Sequence, residues 1–237
     1  MLPIHFGARD RQLMGCYEEG HAPRRRMAVV LLNPLGWECL RAHRTLRLLS
    51  VRLAEGGYDV LRFDYSGTGD SWGDLGEGVT LATWIADVEQ AIEEVEGLSG
   101  SRRVSLIGLR AGAAIAAEVA ARRPRGIEHV VIWDPPIVTT EVAPGGGVEV
   151  QPYTDVTDAR LRAELDALTV RAATSGKVRM HLALSDSRAR VLEPLRAAVS
   201  SVVTVEGSPT CWVEERDFGA GAVPTELLDR LVKLLGE

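Results

Sequence analysis

The sequence predicts an α/β fold: a mostly parallel central sheet flanked by helices on both faces, with an antiparallel hairpin at its N-terminus. Three observations predict it. Met27 to Leu32 is an unbroken apolar run, the mark of a strand buried on both faces of a parallel sheet. Strand-length runs alternate with segments whose leucines or alanines recur at three and four residues, the period of an amphipathic helix. Val104 to Ala113 reads as a short buried strand, a sharp turn and the start of a small-residue helix that continues to Arg123. At 237 residues and 46% hydrophobic composition, the chain is expected to be a single domain with a sizeable core.

The elements follow in order. Ile4 to Phe6 and Leu13 to Tyr17 flank Gly7-Ala8-Arg9-Asp10 and form a hairpin. The Met27 strand ends in Asn33-Pro34-Leu35-Gly36. A helix spans residues 41–55, with Leu46, Leu49 and Leu53 on its buried face and Gly56-Gly57 as its stop. Tyr58 to Tyr65 is the next strand. The loop after it, Ser66-Gly67-Thr68-Gly69-Asp70-Ser71, is tight: its glycines permit positive φ, and Asp70 and Ser71 can bond backbone groups. No lysine follows at the spacing of a phosphate-binding loop, so a structural role is expected. Thr80 caps a helix through Val95, with Trp84, Val88, Ile92 and Val95 on one face.

The small-residue helix after Arg110 is built to sit close against the sheet. Glu128 to Trp133 is a further strand, and Pro135 ends its pairing because proline donates nothing to a ladder. Residues 137–173 break the alternation. They hold Pro144-Gly145-Gly146-Gly147, a loop, and a helix with Leu161, Leu165, Leu168 and Ala172 on one face. Strands at Val178 to Leu184 and Ser201 to Val205 enclose a helix over residues 188–198. Cys211 to Val213 reads as a short edge strand. Pro224 opens a C-terminal helix with Leu227, Leu228, Leu231, Leu234 and Leu235.

The turn at residue 110 carries the strongest motif. Gly108-Leu109-Arg110-Ala111-Gly112 sets two glycines around a central residue, between strand and helix. A strained turn and a close strand–helix approach leave no room for a Cβ at either flank. Together with Asn33-Pro34-Leu35-Gly36-Trp37-Glu38 and Phe63-Asp64-Tyr65-Ser66-Gly67-Thr68-Gly69-Asp70-Ser71, this frame resembles the α/β-hydrolase superfamily. Within it, the chain is similar to serine-aminopeptidase-like hydrolases, including those called exosortase-system-associated hydrolases, whose elbow is similar to Gly-Leu-Arg-x-Gly-Ala. The resemblance covers residues 28–138. It implies the α/β-hydrolase fold, a short cap-like insertion at 137–173 and a hydrolase. It also implies an oxyanion-type backbone pair, from Leu35 or Gly36 on one side and Ala111 on the other; a plain Pro-Gly turn is the alternative reading of the first. Trp37, His43, Asp64 and Asp134 are pocket candidates, His43 being otherwise a surface or helix-packing residue.

In that superfamily nucleophile, acid and histidine follow in chain order. The nucleophile position holds Arg110, whose guanidinium stays protonated and accepts nothing. Asp186 occupies the place of the acid, with Asp134 one strand earlier as a substitute. The histidine belongs in residues 206–223, which contain none. The five histidines are His5, His21, His43, His129 and His181, and the last two fall within strands, where buried or edge histidines are expected. Ordinary serine hydrolysis is therefore not expected. Arg110 stands at a helix N-terminus, where a cation is disfavoured by about 0.3–1 kcal/mol, so a carboxylate or carbonyl partner is needed. Asp186, Asp134 and Asp64 lie at strand carboxyl ends near it, and an Arg110–Asp186 ion pair is the expectation. Such a pair either fills the old pocket or, with neighbouring N–H groups, binds a small anionic or acyl-type ligand.

Three function classes remain. The first is a degenerate hydrolase with a binding or accessory role. The second is an ester, thioester or peptide hydrolase using Ser66, Ser71 or Cys39. The third is a non-hydrolytic biosynthetic enzyme in which Arg110 acts as an electrophilic donor. Net charge is −6, from 27 basic and 33 acidic residues with no long basic run, which argues against nucleic acid as a partner. Arg24-Arg25-Arg26 is expected to be a solvated strand entrance. No stretch approaches the apolar length of a membrane span, and residues 1–10 lack the pattern of a secretory signal. Cys16, Cys39 and Cys211 are widely spaced and odd in number, so reduced thiols in a cytoplasmic protein are expected, with no metal site and no cofactor.

Overall fold

The computed structural model describes residues 1–76, 78–135, 156, 158–167, 178–185, 199–213 and 222–236. β1 (Leu2–Ala8) and β2 (Arg11–Glu18) form the antiparallel hairpin. β2 pairs antiparallel with β4 (Asp59–Phe63). Every later pairing is parallel: β4 with β3 (Ala28–Leu32), β3 with β5 (Val104–Leu109), then β6 (Ile127–Trp133), β7 (Arg179–Ser185) and β8 (Ser201–Val205). The order across this eight-stranded sheet is β1-β2-β4-β3-β5-β6-β7-β8.

Side-chain parity divides the core in two. Val30, Leu32, Leu61, Leu106, Val130 and Ile132 face α2 (Leu81–Ser99) and α3 (Ala111–Arg122). Val29, Leu31, Val60, Ile107, Val131 and Trp133 face α1 (Gly36–Glu55) and the C-terminal helix α5 (Thr225–Leu234). Between α3 and α5 in the chain lies α4 (Ala159–Asp166), which buries Leu161 and Leu165 and is tied to α2 by a 2.9 Å bond from the Leu81 N–H to Glu164. The continuous apolar strands thus feed both layers at once, which is why they show no polar alternation. Leu168, Ala172, the glycine loop at 144–147 and the expected helix at 188–198 lie outside the described residues.

Three local expectations are corrected. Helix α1 begins at Gly36, five residues before the predicted start. Its cap position, Leu35, offers no side-chain acceptor, so no capping signal marks the boundary. Cys211 to Val213 is a turn and not an edge strand: Trp212 packs edge-to-face on Trp133 with ring centroids 5.1 Å apart, and the turn is closed by a 2.9 Å bond from the Val213 N–H to the Thr210 carbonyl. Arg24 is not simply solvated. It pairs with the buried Asp59 at 2.5 Å, and Asp59 also accepts from the Tyr17 hydroxyl at 2.6 Å.

Candidate functional site

Strand β5 ends at Leu109 and α3 begins at Ala111, so Arg110 alone makes the turn, at φ 57° and ψ −119°. A non-glycine residue in that region costs on the order of 1–3 kcal/mol and persists only where its surroundings hold it. Two backbone hydrogen bonds hold it. The Arg110 N–H donates to the Trp133 carbonyl at 2.9 Å, and the Arg110 carbonyl accepts from the Ala113 N–H at 3.0 Å. The flanking glycines permit the close approach: a Cβ on Gly108 would sit 2.2 Å from the Gly112 carbonyl oxygen, and one on Gly112 would sit 2.4 Å from that of Leu32.

The Arg110 side chain is 7% exposed and folds back onto the protein. Its Nε and Nη2 both lie 2.9 Å from Oε1 of Glu38, on the first turn of α1, and Nη1 donates to the Asp134 carbonyl at 3.2 Å. The carboxylate partner is thus Glu38, a residue of the loop motif for which the sequence alone implies no role. Asp186, the expected partner, lies outside the described residues. The Asp134 carboxylate instead accepts from the Ser185 N–H at 2.8 Å, joining the ends of β6 and β7. Leu35 and Ala111 are buried beside the turn and Gly36 is exposed, at φ 53°.

A groove of about 670 Å³ opens between the β3–α1 loop with the first turns of α1 on one side and the loop after β4 on the other; none of residues 108–112 lines it. Of the pocket candidates, Trp37, His43 and Asp64 line it and Asp134 does not. The sequence reading missed Asn33, Leu40 and Leu75 as lining residues. Leu40 stands one helical turn from Trp37 and so shares its face, a signal present in the spacing.

Asp64 is half-buried in this wall. Its contacts are long: the Asn33 side-chain amide at 3.5 Å and the Asp70 N–H at 3.4 Å. Burial pushes its carboxyl above the usual range, against a smaller opposing pull from the Asp70 N–H, Arg62 and His43.

The hydroxyls of Ser66 and Ser71 are both engaged in hydrogen bonds. The Ser66 hydroxyl donates to the buried Asp87 at 3.0 Å and accepts from Arg11 at 3.3 Å. The Ser71 hydroxyl donates to the Asp64 carbonyl at 2.6 Å and accepts from the Met14 N–H at 2.8 Å. Both hold the glycine loop in place. Cys39 lines the groove, but burial, aided by the negative charge of Asp64, pushes its thiol up to about 11, opposite to what a thiolate nucleophile requires.

His129 and His181 are buried far from this edge, toward the amino ends of β6 and β7. Parallel register sets His129 against Arg179 and Val131 against His181, so Arg179, His129 and His181 meet on one face. Arg179 meets Nε2 of His129 at 2.7 Å, Nδ1 of His129 meets Nε2 of His181 at 2.9 Å, and Nδ1 of His181 meets the Ser201 hydroxyl at 2.8 Å. Arginine only donates, so His129 Nε2 accepts, both histidines carry their proton on Nδ1, and the chain ends at Ser201. Burial, with the Arg179 charge beside them, lowers both imidazoles to about 4.

Among the described residues there is no group of histidine, cysteine and acidic side chains that could hold a metal, and no helix long and apolar enough to cross a membrane.

A family model, serine aminopeptidase S33, matches residues 23–188. An uncharacterized protein of Rickettsia prowazekii is 28% identical over 140 residues, which are 59% of this chain and 57% of that protein, so the chain spans little more than half the length of this curated relative. An α/β serine hydrolase homologue from Coxiella burnetii superposes with a TM-score of 0.65 at 19% identity, covering 99% of this chain and 97% of that one. Est1E from Butyrivibrio proteoclasticus, solved with ferulic acid bound, superposes with a TM-score of 0.67 at 13% identity, covering 99% and 100%.

Proposed function

This chain belongs to the serine aminopeptidase S33 family of α/β hydrolases, and we propose that within it the chain is a degenerate hydrolase that binds a small molecule and performs no serine acyl transfer. The observation that carries this reading is Arg110 at the nucleophile position, engaged by Glu38 and the Asp134 carbonyl. Acyl transfer needs a group that can be deprotonated and can attack; a guanidinium paired with a carboxylate is neither. The sequence has no histidine in residues 206–223 to act as base. The pairing also removes Arg110 as an anion receptor, since Glu38 already neutralises it.

The fold still keeps a groove of a size that suits a small ligand. Binding is therefore the role that the geometry supports best, with the protein acting as an accessory or carrier. The test is turnover of p-nitrophenyl acetate and butyrate, an acyl thioester and an aminoacyl p-nitroanilide. The expected result is no rate above buffer for the pure protein. Turnover of any of them, lost on substitution of one groove residue, would overturn the reading.

A further inference from the structure

The groove combines two features that a simple relic of an active site does not need. One is an exposed apolar rim: Trp37 is 61% exposed, Leu40 64% and Leu75 41%, and all three line the groove. Exposed aromatic and leucine side chains gathered around one concavity mark a surface that is covered in use. The other is the carboxylate of Asp64. An ionised carboxylate has about four acceptor sites, and Asp64 fills only two, with bonds of 3.5 and 3.4 Å at the outer limit of hydrogen-bond length. Among the described residues no arginine, lysine or histidine nitrogen lies within 4.0 Å of it. Its Oδ2 lies over Gly69, where a Cβ would come within 2.1 Å of it, so the loop is cut away to seat the carboxylate.

From this rim and this carboxylate we infer that the groove takes a small organic cation, an apolar chain or ring against Trp37, Leu40 and Leu75 with a protonated amine on Asp64. Charge complementarity selects the amine. A half-buried carboxylate is screened less than an exposed one, and a bound ammonium supplies the donors that Asn33 and Asp70 give only at long range. Burial already strains the free carboxylate toward its protonated form, and a cation relieves that cost. Arg62 and His43 also act on Asp64 electrostatically, and Asp70 opposes them. Arg62 is directed to the Met1 sulfur at 3.5 Å.

The inference rests on the ligand-binding reading of the groove. It is tested with three probes that share one apolar body: 4-phenylbutylamine, 4-phenylbutanol and 4-phenylbutanoate, titrated by calorimetry at pH 7.5. The amine is expected to bind about tenfold tighter than the alcohol, the return of one charge-assisted hydrogen bond, and the carboxylate weakest. Asp64→Asn is expected to bring the amine down to the alcohol while leaving the alcohol unchanged. Trp37→Ala is expected to weaken amine and alcohol alike. Equal binding of all three probes, tighter binding of the carboxylate, or no binding of any would overturn the inference, and each is read on the wild type with no need for a variant to fold. An amine preference that survives Asp64→Asn in a folded protein would overturn it too. Hydrolytic turnover bears on the proposed loss of acyl transfer alone, so the two failures are separable.

Discussion

Arg110 is held in a conformation that costs backbone strain, in a place where a helix dipole disfavours a cation. It stays because Glu38 and a carbonyl receive it. Removing one member of such a pair leaves a buried charge without compensation, which costs about 3–5 kcal/mol for fully buried cases. Glu38 keeps 18% exposure, so Glu38→Gln is expected to cost roughly 3 kcal/mol, at the lower end. Urea denaturation measures it. Arg110→Met in the Glu38→Gln background is expected to recover most of the loss, which a double-mutant cycle would show as strong coupling. Cys39 offers a second residue-scale check. A thiol raised from 9.0 to about 11 has a thiolate fraction at pH 8 roughly a hundredfold below normal, so its alkylation by iodoacetamide, followed by peptide mass, is expected to be correspondingly slow.

At the scale of elements, two junctions carry the account. The first is the approach of α3 to the sheet. Gly108→Ala and Gly112→Ala each place a methyl against backbone that no rotamer change can move. Each is expected to lower stability by about 1–3 kcal/mol or more, read as a fall in denaturation midpoint. The second is the chain Arg179–His129–His181–Ser201 that staples β6, β7 and β8. Both imidazoles titrate near 4 in the folded protein against 6.5 when unfolded. The unfolded chain therefore binds more protons between these values, and stability rises with pH across that window. The contribution is complete above about pH 6.5 and is lost as pH falls toward 4; the loss is on the order of a few kcal/mol. Urea midpoints at pH 7.5 and 4.5 are expected to differ accordingly, and His181→Gln to reduce the difference. The strands themselves were legible because burial on both faces leaves an apolar run in the sequence. The histidine chain was not, because it depends on the parallel register of β6 against β7, and nothing local in either strand fixes that register.

At the scale of the molecule, the parallel sheet places the ends of β3, β4 and β5 side by side, and the loops that follow them become the elbow and the groove. This much followed from Gly108, Gly112 and the two loop motifs, whose residue types answer to backbone geometry. The partner of Arg110 did not follow. The sequence showed that a buried guanidinium needs a carboxylate and offered several at strand ends, but Glu38 comes from the first turn of a helix whose start carries no capping signal. The groove's apolar rim followed only in part: Trp37 and Leu40 share a face of α1 by their spacing, but Leu75 joins them only when the loop after β4 folds beside that helix. The central claim is that this fold is kept without serine acyl transfer. Intact-mass measurement after treatment with a fluorophosphonate probe tests it most directly, because the probe reports an activated serine whatever the substrate. Unmodified protein, beside a fully labelled control hydrolase, is the predicted result. A stoichiometric adduct on one serine would contradict the account.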